Sequence, residues 1–311
     1  MPSERDFTMI ELDKIATEQR NSASRSIDTV STEEMLRIIN AADKTVAAAV
    51  EAIIPHIAVV IDEVTERIRQ GGRLLYIGAG TSGRLGMLDA AECPPTYNTP
   101  PRLVRAVIAG GKTALSHAKE GAEDSSENGA DDLKKEAVTA TDTVIGLSAS
   151  GRTPYVAGAL EYAKKAGAYT VAVTCSPGSH LAAIGDIDLC AVTGPEVVTG
   201  STRMKAGTAQ KMILNMISTG VMIRLGKVYG NLMVDVRATN AKLKERARRI
   251  VMAAAACTRA EADAALDACN GNAKPAIIML LLHVDAAAAA QSLEKADGYI
   301  DRAIKDGIYE L

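Results

Sequence analysis

Short apolar runs, each closed by glycine or hydroxyl residues, recur through the middle of the chain. Their spacing predicts strands at 73–77, 103–109, 142–147, 169–174 and 187–192, with helical stretches at 83–92, 113–120 and 154–166 between them. Five strands alternating with helices predict an α/β fold, a doubly wound five-stranded parallel sheet with helices on both faces. Upstream, Ser31 and Glu34 have capping-box spacing and open a helix whose Met35, Leu36, Ile38 and Ile39 are expected on its buried side. A second helical stretch, 46–70, is expected to break at Pro55 and to stop at Gly71-Gly72. The helix begun at Gly83 is expected to end at Cys93-Pro94-Pro95.

Past the last strand, residues 206–225 are apolar almost all round, which predicts a buried helix, within one subunit or between two. From about Lys242 onward, short alanine-rich helices alternate with turn residues, and Thr258 and Glu261 form another capping box. Three regions follow: an N-terminal helical segment (1–60), a sheet domain (61–228) and a small all-helical C-terminal domain (229–311). The polar first thirty residues are expected to wrap over a neighbour or to run extended.

Composition narrows the function classes. Hydrophobic residues make up 47% of the 311, but with no Trp and one Phe the core must be built from Ala, Val, Ile, Leu and Met. A net charge of −3, no basic stretch and few aromatics argue against nucleic acid as a partner. Five scattered cysteines without Cys-x-x-Cys spacing read as reduced thiols, and the four histidines show no metal-ligand spacing. Glu4, Asp6, Glu11 and Asp13 make the N-terminus too acidic for a signal peptide, and the apolar run 276–282 is too short to span a bilayer. The expectation is a cytoplasmic protein with no membrane partner, no metal and no cofactor.

Two turns carry the candidate chemistry. Leu74–Ile77 leads into Gly-Ala-Gly-Thr-Ser-Gly-Arg (78–84), and Val144–Leu147 into Ser-Ala-Ser-Gly-Arg-Thr (148–153). A strand that enters a helix through such a turn presents free N–H groups at the helix's positive end, which suits an anion. Gly80, Thr81 and Ser82 in the first turn, and Ser148, Ser150, Gly151 and Thr153 in the second, are candidate phosphate or substrate ligands. Gly78, Gly80 and Gly83 also match the dinucleotide fingerprint. The second strand, however, ends in Val-Ile-Ala-Gly-Gly (107–111) without the ribose-binding acid, and Asp89 and Glu92 come too early. A tight turn with no ligand is the remaining alternative for 78–84, and a serine-rich helix cap for 148–153. Ser201, Thr202, Arg203 and Lys205 could add polar contacts, or Arg152 and Lys205 could be surface charges. One polyhydroxyl phosphate, a sugar phosphate, fits the paired turns best. Glu92 and Glu123 are candidate catalytic acids; Asp124 competes with Glu123, and a solvated charge is the alternative for each.

With these residues in view, the chain resembles the sugar isomerase (SIS) superfamily and, more narrowly, the N-acetylmuramic acid 6-phosphate etherases. The resemblance spans nearly the whole length. It rests on 21–28, 78–86, Asp-Ala-Ala-Glu-Cys-Pro-Pro-Thr-Tyr (89–97), 120–125, 148–155, Thr-Gly-Ser-Thr-Arg-Met-Lys-Ala-Gly-Thr (199–208) and 230–236. It implies a flavodoxin-like SIS domain and a homodimer with the active site at a subunit interface. The implied activity is a lyase that removes D-lactate from N-acetylmuramic acid 6-phosphate by elimination and hydration. The family's two catalytic acids fall on Glu92 and Glu123. Glu92 is expected to protonate departing lactate and then to activate water, and Glu123 to lie near carbon 2. Lys242 is a rival base for the carbon-2 proton. A non-catalytic sugar-phosphate sensor and an aldose–ketose isomerase are the competing functions.

Overall fold

The computed structural model describes residues 16–117, 119–236 and 240–309. The acidic positions Glu4 to Asp13 lie outside the described residues. The chain divides into two compact units, one of residues 1–90 and 102–217, the other of 91–101 and 218–311.

In the first unit, β1 (Leu74–Gly78), β2 (Val104–Ile108), β3 (Thr143–Leu147), β4 (Tyr169–Thr174) and β5 (Ile187–Cys190) form one parallel sheet in the order β2-β1-β3-β4-β5. Continuous apolar runs make β1 and β3 buried at every position, as expected of strands covered on both faces. The order reverses direction between β1 and β3. Ligands of doubly wound sheets bind at that switch point, beyond the strands' carboxyl ends. Both candidate turns leave β1 and β3 at that edge.

The helices depart from expectation in several places, each for a physical reason. α1 (Thr32–Asp43) is capped by Ser31, whose hydroxyl accepts from Glu34 N at 3.3 Å, but it has no buried residue, and Leu36 is 56% exposed. Its apolar stripe is left largely uncovered by the described residues. α2 (Val46–Glu51) and α3 (Ile54–Arg69) break at 52–53. Pro55 sits in the first turn of α3, where its missing N–H costs nothing. α4 (Gly80–Tyr97) starts three residues early and runs through Pro94 and Pro95. Those prolines deprive the Ala90 and Ala91 carbonyls of their i+4 donors without stopping the helix. Among the described residues of the stretch 113–120, the helical part is a short 3-10 turn, Lys112–Leu115. α5 (Ser126–Lys135) was not foreseen; α6 (Pro154–Lys165) was. α7 (His180–Ile184) follows β4, and α8 (Lys205–Arg224) is mostly buried, with Met216 and Ile223 exposed. Residues 16–30 are not extended: they form 3-10 helical and other turns, and Ser24 Oγ donates to Val197 O at 2.8 Å.

Two polar networks hold this unit. Tyr76 on β1 donates to Asp89 Oδ2 at 2.9 Å, and Asn215 on α8 donates to Asp89 Oδ1 at 2.6 Å. At the amino edge, Asp142 accepts from Arg73 Nη2 (2.7 Å), Arg73 N (2.8 Å) and Thr139 N (2.9 Å). Burial pushes the Asp142 carboxyl up, but the Arg73 and main-chain hydrogen bonds outweigh it and hold the group below its ordinary value. A depressed folded-state pKa adds stability that is present above the unfolded value near 4 and lost as pH falls through the folded value. Asp142→Asn should therefore cost about 2–3 kcal/mol at pH 7, below the fully buried case because the Arg73 side chain is 23% exposed. Urea titrations at pH 7 and pH 3 should show the gap between wild type and variant shrinking in acid.

The second unit is helical. Thr258 and Glu261 form the expected reciprocal capping box at the start of α10 (Arg259–Ala268). α9 (Ala241–Ala255), α11 (Ala273–Leu282), α12 (Ala286–Lys295) and α13 (Ile300–Tyr309) complete it. Its small core includes Val251, Ala262, Ala276, Ile277 and Ile278. No single described helix is long and apolar enough to cross a membrane.

Candidate functional site

The first turn closes tightly because glycine stands where a side chain would collide. A Cβ on Gly83 would lie 2.7 Å from both Gly78 O and Ile108 Cγ1. So part of the glycine fingerprint serves the approach of α4 to β1. Asp89 is also withdrawn from any ribose, since it is 5% exposed and held by Tyr76 and Asn215. What the turn leaves for a ligand is hydroxyl chemistry. Thr81 is half-buried without a hydrogen-bond partner among the described residues, and Ser82 Oγ donates to Gln210 Oε1 at 2.8 Å.

The second turn is a connected set of hydroxyls. Ser148 Oγ lies 2.8 Å from Thr153 Oγ1 and 3.4 Å from Ser150 Oγ, and it accepts from Gly151 N at 3.1 Å. Gly151 has φ +66°, and a Cβ there would lie 2.3 Å from Ser179. Both the left-handed backbone and the close approach require glycine. Thr153 is the residue before α6, and Pro154 occupies the first helical position, so the helix's positive end faces this hydroxyl set. Arg152 is exposed.

Glu123 is brought to the same place by its main chain. Its carbonyl accepts from Tyr155 N at 3.0 Å, in the first turn of α6 and two residues from Thr153. The Glu123 and Asp124 side chains are exposed. A cavity of about 500 Å³ in this unit is lined by Gly111, Lys119, Glu120, Asp131 and Tyr155, without Glu123 or the 148–153 hydroxyls.

The segment after β5 adds a third set. Ser201 and Thr202 are half-buried, and their hydroxyls have no partner among the described residues. The Thr202 carbonyl accepts from Gly207 N at 2.9 Å, and a Cβ on Gly207 would lie 3.6 Å from Thr81 Cγ2. Ser201–Thr202 and the first turn are thus neighbours. Arg203 is exposed, and Lys205 is no ligand: it is 5% exposed and donates to Thr193 O at 2.6 Å. Two buried residues escaped the sequence reading. Gln210 orients Ser82, and Glu196 accepts from the first two N–H groups of α8. Neither stands at a capping-box position, so spacing gave no signal.

Glu92 belongs to the second unit and is exposed on α4, five residues before the helix ends. Lys242, in the same unit, is exposed in the first turn of α9 and borders an open groove of about 420 Å³ with Leu232, Arg246 and Arg249. Among the described residues no group of three His, Cys, Asp or Glu side chains could hold a metal ion.

Known proteins add the following. The model of the glucokinase regulatory protein N-terminal SIS domain matches residues 56–164. An N-acetylmuramic acid 6-phosphate etherase of Photobacterium profundum is 55% identical over 298 residues, covering 96% of this chain and 99% of that protein. One from Escherichia fergusonii is 56% identical over 291 residues, covering 94% and 98%. Among solved structures, a phosphoheptose isomerase from Francisella tularensis superposes with a TM-score of 0.50 at 17% identity, over 63% of this chain and all of that one. That likeness concerns the fold.

Proposed function

This chain belongs to the N-acetylmuramic acid 6-phosphate etherase family, and from that premise we propose how its residues divide the work of removing D-lactate. An ether resists direct hydrolysis. Opening the sugar ring exposes an aldehyde at carbon 1, which acidifies the carbon-2 proton. A base takes that proton, the bond from carbon 3 to the lactyl oxygen breaks, and an acid protonates the departing lactate. Water then adds at carbon 3 of the unsaturated aldehyde, and carbon 2 regains a proton, giving N-acetylglucosamine 6-phosphate.

Glu92 protonates the lactate and, now a carboxylate, activates the water. Glu123 serves the carbon-2 side, with Lys242 its rival. Ser148, Ser150, Gly151 and Thr153 hold the phosphate at the start of α6, and Gly80, Thr81, Ser82, Ser201 and Thr202 hold the sugar. One observation carries the reading: the Glu123 main chain is bonded into the first turn of α6, beside the Ser148–Thr153 hydroxyls. This chemistry needs a proton-transfer residue and an anion cradle in one site, and the main-chain bond supports placing the Glu123 loop beside that cradle.

The protein works as a cytoplasmic homodimer, without metal or cofactor. The uncovered apolar stripe of α1 supports a second copy as its cover. In this reading residues 61–228 bind the sugar phosphate. Incubation with N-acetylmuramic acid 6-phosphate tests it. Stoichiometric D-lactate is expected; binding without turnover would indicate a sensor, and interconversion of aldose and ketose phosphates an isomerase.

A further inference from the structure

Glu196 takes no part in the chemistry above, yet its side chain is fully buried in the sheet unit. A carboxylate is costly to bury unless its oxygens are bonded. Here Oε2 accepts from Lys205 N at 3.1 Å and Oε1 from Ala206 N at 3.0 Å, the first two N–H groups of α8. Thr202 O and Met204 O accept from the next two, Gly207 N and Thr208 N, both at 2.9 Å. All four free donors of the helix start are thus used, so this end of α8 has none left for an anion. The carboxylate serves the loop instead. It folds residues 193–204 back onto α8, with Lys205 Nζ fastening Thr193 O at one end. Ser24, 6% exposed, fastens Val197 O from the N-terminal segment. Between these anchors and α8 stand Ser201 and Thr202.

We propose that Glu196 is a positioning residue for substrate binding: its carboxylate ties the 193–204 loop to the first turn of α8 and so presents the Ser201 and Thr202 hydroxyls to the sugar phosphate. The inference rests on the reading that these two hydroxyls touch substrate. Glu196→Gln keeps the shape but sets an amide NH2 against a main-chain N–H, so the loop loses one of its two bonds. The interaction lost is a binding one, so KM should rise about tenfold while kcat stays within about twofold. The Ser201→Ala/Thr202→Ala variant should raise KM by itself, and adding Glu196→Gln to it should change little more.

A fall in kcat at unchanged KM, or a KM effect undiminished in the hydroxyl-free background, would overturn the positioning role alone. A Ser201→Ala/Thr202→Ala variant with wild-type KM would refute the binding role of the hydroxyls and this inference with it. Should Glu196→Gln fail to fold by thermal melt, Ser24→Ala loosens the same loop from outside. A smaller rise in KM then supports the proposal, and an unchanged KM overturns it.

Discussion

Glu92→Gln is expected to stop D-lactate release, lowering kcat by about 10³-fold or more. A positioned general acid is worth roughly 10²–10⁴ in rate, and Glu92 is asked to act in both halves of the reaction. An amide can neither protonate the leaving lactyl oxygen nor take a proton from water. The loss should be purely chemical. The Glu92 side chain is exposed and has no ion pair or hydrogen bond among the described residues, so the melting temperature should stay within the scatter of a surface substitution. In D2O the variant should still exchange the carbon-2 proton of the substrate, because that step precedes lactate departure. A variant with full lactate release would refute the assignment.

Glu123→Gln is expected to act one step earlier, losing carbon-2 exchange and lactate release together, by about 10²–10⁴-fold. Its main-chain bond to Tyr155 N does not involve the side chain, so the loop and the cradle should survive the change. Inorganic phosphate should compete with substrate equally well in variant and wild type. If Glu123→Gln exchanges at the wild-type rate and Lys242→Met does not, the base is Lys242.

The sheet was legible in the sequence because each strand is a short, nearly unbroken apolar run bounded by turn residues. All five strands lie within a residue or two of the expected bounds. The errors lie where tertiary contacts or missing donors override local rules. Two adjacent prolines were read as a stop, yet α4 passes through them. α5 carries one large buried apolar side chain, Leu133, and packs on α6 through Gly129, where a Cβ would lie 1.8 Å from Tyr155 O. No apolar period could announce it. α1 has the period of a core helix, but the described residues offer it no core to bury in.

The hydroxyl turns were legible as candidate anion sites because the residues themselves carry the chemistry. Glu196 and Gln210 were not, since each acts through a backbone or a side chain that the fold brings from elsewhere. The activity itself came from likeness to a family: serines and threonines announce a sugar phosphate, while nothing in them announces a lactyl ether.

Turnover of N-acetylmuramic acid 6-phosphate in D2O enriched with ¹⁸O is the most direct test of elimination followed by hydration. The sugar product should carry deuterium at carbon 2 and solvent oxygen at carbon 3, with the released lactate keeping its original ether oxygen. Solvent oxygen in the lactate hydroxyl, or a product without deuterium at carbon 2, would contradict the account.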